Sequence, residues 1–367
     1  MAAKFNLDLL RKLCETPGVP GREERVRDLI QKEIKGLFDA AEIDSMGTLI
    51  CRRKPRTAAK PGSKKTTKKK TSAATDPKVV MLLCHMDEIG FYVQAIDDNG
   101  FVRIDPAGGF DPRNLFSRRV LVCTEKGDLP GVMNPAGRPV HISSAEERKK
   151  VPEVNEFFVD VGMPKEEVEK KVRVGDYIVM DEPLKEVGSK IVSKALDNRV
   201  ACWLGIESVR KLEETKAPHA CEIVVAFTVQ EEVGLRGAKT SAFAVRPDVG
   251  IGIDVTLACD TPGVPSNEMV SKHGEGFALH VKDGSFISDY ALVEQIEGIA
   301  RKKKIKHQRS ILARGGQDGA AAQQAAAGAK AVGITVGTRY IHTVTEMIDR
   351  NDLTAARDIL SAYLAEA

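Results

Sequence analysis

Two adjacent carboxylates, Glu231 and Glu232, follow the apolar stretch 222–229, with glycines at 234 and 237. Successive side chains on extended backbone point to opposite sides. A neighbouring acid pair at a strand end can therefore divide two tasks, one binding a metal and one moving protons. Other acids and histidines stand at comparable places. His85 and Asp87 follow the apolar run 79–83. Asp197 lies just before a helical segment, Asp254 ends the run 248–254, and His342 comes shortly after the run 331–336. Any one of them alone fits a turn or a helix cap; their coincidence at run ends does not. Two histidines with several carboxylates and no cysteine suit a borderline cation bound by nitrogen and oxygen. One carboxylate bridging two cations, with two further ligands for each, makes a two-metal hydrolytic site.

The elements that must position these residues are legible in the hydrophobic periodicity. Helices are expected at 5–16, 23–37, 198–210, 287–303, 318–328 and 351–365, and strands at 41–43, 48–51, 79–83, 222–229, 248–254 and 331–336. Between them, 91–190 carries short alternating stretches at 91–96, 101–104, 119–123, 157–161 and 177–180, separated by Gly-, Pro- and Asp-rich turns. The expected fold is α/β: a mixed, mostly parallel sheet flanked by helices, interrupted by a small β-barrel-like, PDZ-like domain. The domain bounds are 1–88 and 191–367 for the catalytic unit and 89–190 for the insertion. In such sheets ligands bind at the carboxyl ends of the strands, where most of the candidates fall.

The chain has 367 residues, 42% hydrophobic and 29% charged, and contains no apolar run of 18; a membrane span is not expected. The N-terminus lacks a signal peptide's apolar core. Seven scattered cysteines without a Cys-x-x-Cys pair indicate neither a disulfide framework nor a thiolate zinc site. A reducing cytoplasm is the expected location. The net charge of +3 hides an asymmetry. Residues 52–70 hold ten Lys/Arg and no acid, so the rest carries 45 basic against 52 acidic residues, or −7. The stretch 52–75 has no apolar side chain larger than alanine and reads as a mobile insertion, within a Lys-rich segment bounded at 52–78. Without interleaved aromatics it makes a poor nucleic-acid arm, so nucleic acid is not the expected partner.

Five motifs in order, Cys84–Gly90, Lys194–Arg199, Thr228–Ala238, Ile253–Thr256 with Asp260–Gly263, and Thr338–His342, resemble the tetrahedral (TET) and deblocking aminopeptidases, the glutamyl aminopeptidase-type metallopeptidases. The resemblance covers nearly everything outside 52–78, including Pro139–Lys149 and Arg173–Asp176 in the middle domain. It implies that His85 and Asp254 hold one metal, Glu232 and His342 the other, and Asp197 both. It implies Glu231 as general base and Asp87 as the partner that orients His85. Two divalent ions per subunit follow, zinc first, with cobalt or manganese also compatible. It further implies peptide substrates with a free α-amine near the metals, dimers joined through the inserted domain, and a tetrahedral dodecamer. Leu257, Cys259, Gln317 and Gly337 depart from the family pattern near the expected specificity pocket, whose candidate residues are Arg314, Gln317 and Asp318. Two alternatives remain open. One is a same-fold hydrolase of another substrate (carboxypeptidase, deacylase, or endoglucanase as some members are labelled). The other is a non-enzymatic polyanion binder using the basic arm. A glycosidase needs two free carboxylates and no metal, whereas here the carboxylates resemble ligands.

Overall fold

The computed structural model describes residues 5–56 and 76–367. Two amphipathic helices, α1 (Leu7–Glu15) and α2 (Glu24–Glu33), lead into the hairpin β1 (Ala40–Ile43) and β2 (Leu49–Arg53), then β3 (Val79–His85). Six strands follow, β4 (Gly90–Ile96), β5 (Val102–Ala107), β6 (Arg118–Cys123), β7 (Leu129–Pro135), β8 (Phe157–Asp160) and β9 (Tyr177–Met180), with helix α3 (Lys165–Lys171) before the last. The chain returns through β10 (Lys185–Val187), β11 (Lys190–Ser193), α4 (Leu196–Thr215), β12 (Glu222–Thr228), α5 (Arg236–Val245) and β13 (Val249–Leu257). It ends with β14 (Phe277–Lys282), α6 (Tyr290–Lys303), β15 (His307–Ile311), α7 (Gly319–Gln324), β16 (Lys330–Arg339), β17 (Glu346–Asp349) and α8 (Arg350–Glu366).

Among the described residues the large sheet has 11 strands, running β1-β2-β12-β3-β13-β16-β17-β11-β10, with β14 and β15 branching from β16. It is mixed. The central strands β12, β3, β13 and β16 are parallel to one another. The flanking pairs β2/β12, β16/β17 and β11/β17 are antiparallel. The central strands read as continuous apolar runs because both faces are covered. Val80, Leu82 and Cys84 of β3 pack into the large core with Val200, Leu204 and Trp203 of α4. The alternate residues Met81 and Leu83 meet Ala238 and Ala242 of α5 and Ala321 and Ala322 of α7. Small residues let α7 lie close: a Cβ on Gly250 would stand 2.4 Å from that of Ala322.

Strands β4 to β9 close into a barrel in the order β4-β5-β8-β7-β6-β9, around a core that includes Phe91, Ile104, Val120, Phe157 and Ile178. Val344, from the loop after β16, is buried in this same core, so the barrel and the large sheet share a packed junction.

The Lys-rich segment 57–75 lies outside the described residues, but its ends correct part of the expectation. The strand β2 continues through Arg52 and Arg53 rather than ending before them. Arg53 is buried, with its guanidinium on the Leu37 carbonyl (2.8 Å), Glu213 (2.6 Å) and the His219 ring (3.3 Å). A long stem with a fully paired head can be buried where composition alone suggests solvent. Arg56 exchanges backbone hydrogen bonds with His219, and Lys78 accepts one from Glu222. Both ends are thus tied near the start of β12, the edge of the sheet opposite His85. Among the described residues no helix is long and apolar enough to cross a membrane.

Candidate active site

Four parallel strands deliver the candidates to one edge. His85 is the last residue of β3, and Glu231 and Glu232 follow β12 after its final pairing, Thr228 with His85. Asp254 does not end its strand: β13 runs on to Leu257, paired with β16. The β3–β13 ladder stops at the Gly252–Leu83 pair, however, so Asp254 lies two residues past the end of that ladder. There the Asn198 amide takes over, donating to the Ile253 carbonyl (2.9 Å) and to Asp254 Oδ1 (3.0 Å). Asp197 opens α4 through a cis peptide bond to Asn198. His342 sits in the loop after β16 at φ 60°.

The geometry centres on Asp197. Its Oδ1 lies 3.3 Å from His85 Nε2, and its Oδ2 lies 3.2 Å from His342 Nε2. Glu231 Oε2 is 3.8 Å from His85 Nε2, while Glu232 Oε1 is 3.5 Å from His342 Nε2. Two donor sets, His85 with Glu231 and Asp254, and His85 with Asp197 and Glu232, each bring one atom per residue within 4.8 Å of the others. The structure therefore gathers all the expected ligands and the expected base into one cluster. Glu231 stands on the Asp254 side of it and Glu232 on the His342 side.

Each imidazole is oriented through Nδ1. On His85 this atom faces the Asp87 backbone carbonyl at 3.1 Å, with the Asp87 carboxylate at 3.5 Å. On His342 it meets the Gly109 carbonyl of the barrel at 2.8 Å. Such contacts leave Nε2 as the ligating atom. The Asp87 carboxylate has a second task. Its two oxygens accept the backbone N–H groups of Glu231 and Glu232, each at 3.1 Å. Replacing Asp87 by Asn keeps the shape but turns an N–H₂ toward one of those amides. We expect about a 10–100-fold loss of metal affinity or activity, measured by metal titration and by turnover of the reconstituted variant.

The electrostatics of the cluster are dominated by burial and by the mutual proximity of its charges. Burial first, then the Asp197 charge, pushes the Asp254 carboxyl well above its usual range. Burial likewise raises Glu231 well above it, against the pull of His85. Burial opposes charge on both histidines. Even so, Glu231 and Asp197 raise His85 well above its ordinary value, and Asp197 and Glu232 push His342 up to about 12. So many buried carboxylates around two imidazoles call for positive charge. Glu232 Oε1 is buried and has no hydrogen-bond partner, an arrangement that normally costs free energy. A buried pocket rich in oxygen and nitrogen donors fits divalent metal cations.

Glu346 was not among the sequence candidates. It is buried and accepts the N–H of Asp197 (2.9 Å) and that of His342 (2.8 Å), tying two candidate ligands together. Of the proposed pocket residues, Arg314 is exposed on the loop before α7. Gln317 is buried in a slot between strands: a Cβ on Gly252 or Gly333 would come within 2.3 or 2.7 Å of its amide. Asp318 is buried beside the cluster and accepts a hydrogen bond from Thr228. Burial pushes its carboxyl up to about 6.

The family model of the M42 glutamyl aminopeptidases matches residues 65–359. Among solved structures, an aminopeptidase from the archaeon Desulfurococcus kamchatkensis is 36% identical, with a TM-score of 0.88, covering 98% of this chain and 94% of its own. The TET1 peptidase of Pyrococcus horikoshii, described as assembling into a tetrahedron or a large octahedral shell, is 29% identical with a TM-score of 0.83, covering 98% of each chain. A lysyl aminopeptidase of Pyrococcus furiosus is 29% identical over 366 residues, 98% of this chain and 96% of its own.

Proposed function

Since the chain belongs to the M42 glutamyl aminopeptidase family, we propose that the cluster is a two-metal site that removes N-terminal residues from peptides. The observation that carries this reading is Asp197, one oxygen toward each imidazole at 3.3 and 3.2 Å. His85 and Asp254 would hold one cation, Glu232 and His342 the other, and Asp197 both. Cations held there supply Lewis acidity, polarising the scissile carbonyl and acidifying water at neutral pH. Glu231, kept basic by burial, takes the proton of the attacking water and returns it to the leaving amine.

Glutamyl and lysyl relatives differ in the charge they accept, so the family alone does not set the preferred residue. Exposed Arg314 is our candidate for a pocket contact, with buried Gln317 and Asp318 shaping the wall from behind. We also propose that the protein works in the cytoplasm as a homo-oligomer joined through the barrel; light scattering at the mass of a monomer would remove the second point. The test of the site is chelation followed by titration with zinc, cobalt or manganese. Activity should vanish and return at two equivalents per chain. Hydrolysis that survives full metal removal would refute the reading and favour a carboxylate-only mechanism.

A further inference from the structure

Glu23 lies 207 residues before the corner that bears the acid pair, yet it is bonded to it. Its Oε1 accepts the N–H of Gln230 at 2.9 Å and that of Gly21 at 2.8 Å. With the two bonds to Asp87, three consecutive amides, those of Gln230, Glu231 and Glu232, end on two buried carboxylates. The ordinary explanation for an acid at this place is helix capping, since Glu23 occupies the N-cap position of α2. Its side chain makes no capping bond to that helix; it points to the corner instead. The arrangement is costly. Burial first and the Asp87 charge second push the Glu23 carboxyl up to about 7. A buried acid beside another acid, bonded only through amides, is a poor source of stability.

The loop that carries Glu23 is a fixed support. The Arg22 N–H bonds the Val19 carbonyl (2.8 Å), the Glu88 N–H bonds the Gly18 carbonyl (2.9 Å), and the Tyr92 hydroxyl of β4 bonds the Pro20 carbonyl (2.7 Å). The corner itself needs support. Gln230 has φ 56°, a left-handed conformation that a non-glycine residue keeps only when its surroundings hold it. Rotation there would swing the next side chain, which is Glu231.

We infer that Glu23 is a positioning residue: through the Gln230 amide it sets the direction of the Glu231 carboxylate, and so governs proton return to the leaving amine. This rests on the role proposed above for Glu231. The test uses metal-reconstituted wild type, Glu23→Ala, Glu23→Gln and Glu23→Asp, with Glu231→Gln as control. Each is assayed on a peptide and on the nitroanilide of the same N-terminal residue, whose amine leaves with less need of a proton. Glu23→Ala should lower kcat on the peptide by about 10–100-fold, and on the nitroanilide by a clearly smaller factor, with KM and metal content unchanged. Glu23→Gln keeps the acceptor oxygen and should stay within about 3-fold of wild type, because a neutral acceptor still serves an amide. Should Glu23→Ala not fold, Glu23→Asp, with its shortened reach, must show the same leaving-group dependence. Equal losses on both substrates, losses that follow metal content, or wild-type turnover in Glu23→Ala would overturn the inference. If Glu231→Gln retained turnover, the parent reading would fail instead; an inactive Glu231→Gln beside an unaffected Glu23→Ala would remove this inference alone.

Discussion

Glu231→Gln is expected to reduce kcat by about 10²–10⁴-fold, the usual contribution of general acid–base catalysis, while metal content stays near two per chain. The amide matches the carboxylate in size, and the backbone N–H bond from residue 231 to Asp87 Oδ1 at 3.1 Å is untouched. Burial raises the wild-type carboxyl above its usual range, which makes the group lost a stronger proton acceptor than an exposed carboxylate. Turnover and metal analysis on the same sample make the check. Comparable turnover would remove Glu231 as the base. Loss of metal alongside activity would make it a ligand, a role its 3.8 Å approach to His85 Nε2 leaves open geometrically.

Asp197→Asn should behave differently. The residue faces both imidazoles and is itself held by Glu346, which accepts its N–H at 2.9 Å. Its carboxyl is held well below the usual range by His342 and His85, despite burial. An amide there offers one weak oxygen ligand where two anionic ones stood. Metal content should fall to under one per chain, with activity falling to background, because one cation loses its bridging oxygen and the other keeps only a neutral one. Elemental analysis after gel filtration reads this directly. Two fully bound ions in the variant would refute bridging.

The contrast between these variants shows what was readable in advance. His85, Glu231, Glu232 and His342 follow apolar runs, and an apolar run that stops at an acid or histidine is a local signal. Asp254 was read as a strand end, although β13 continues to Leu257. The feature that places it is the end of a neighbouring ladder at Gly252, which no single run can reveal. Glu346 and Glu23 left no signal, since each reaches the site through a backbone amide distant in sequence, that of Asp197 for Glu346 and that of Gln230 for Glu23. The Gly109 carbonyl that orients His342 is invisible for a stronger reason: every residue has a carbonyl. Among elements, β7 contains Pro130, Gly131 and Pro135 and reads as turn. It is accepted as a strand because Gly131 passes close to its neighbours, where a Cβ would come within 2.7 Å of Val159. The short strands β10 and β17 carry too few apolar residues to alternate.

The most direct measurement compares aminoacyl chromogenic amides with their N-acetylated counterparts on the metal-reconstituted protein. Rapid cleavage of the free-amine series and at least a 100-fold slower reaction of the acetylated series, the scale set by leaving a site's polar groups unpaired, is the result predicted here. Equal cleavage of blocked and unblocked substrates would contradict the assignment as an aminopeptidase.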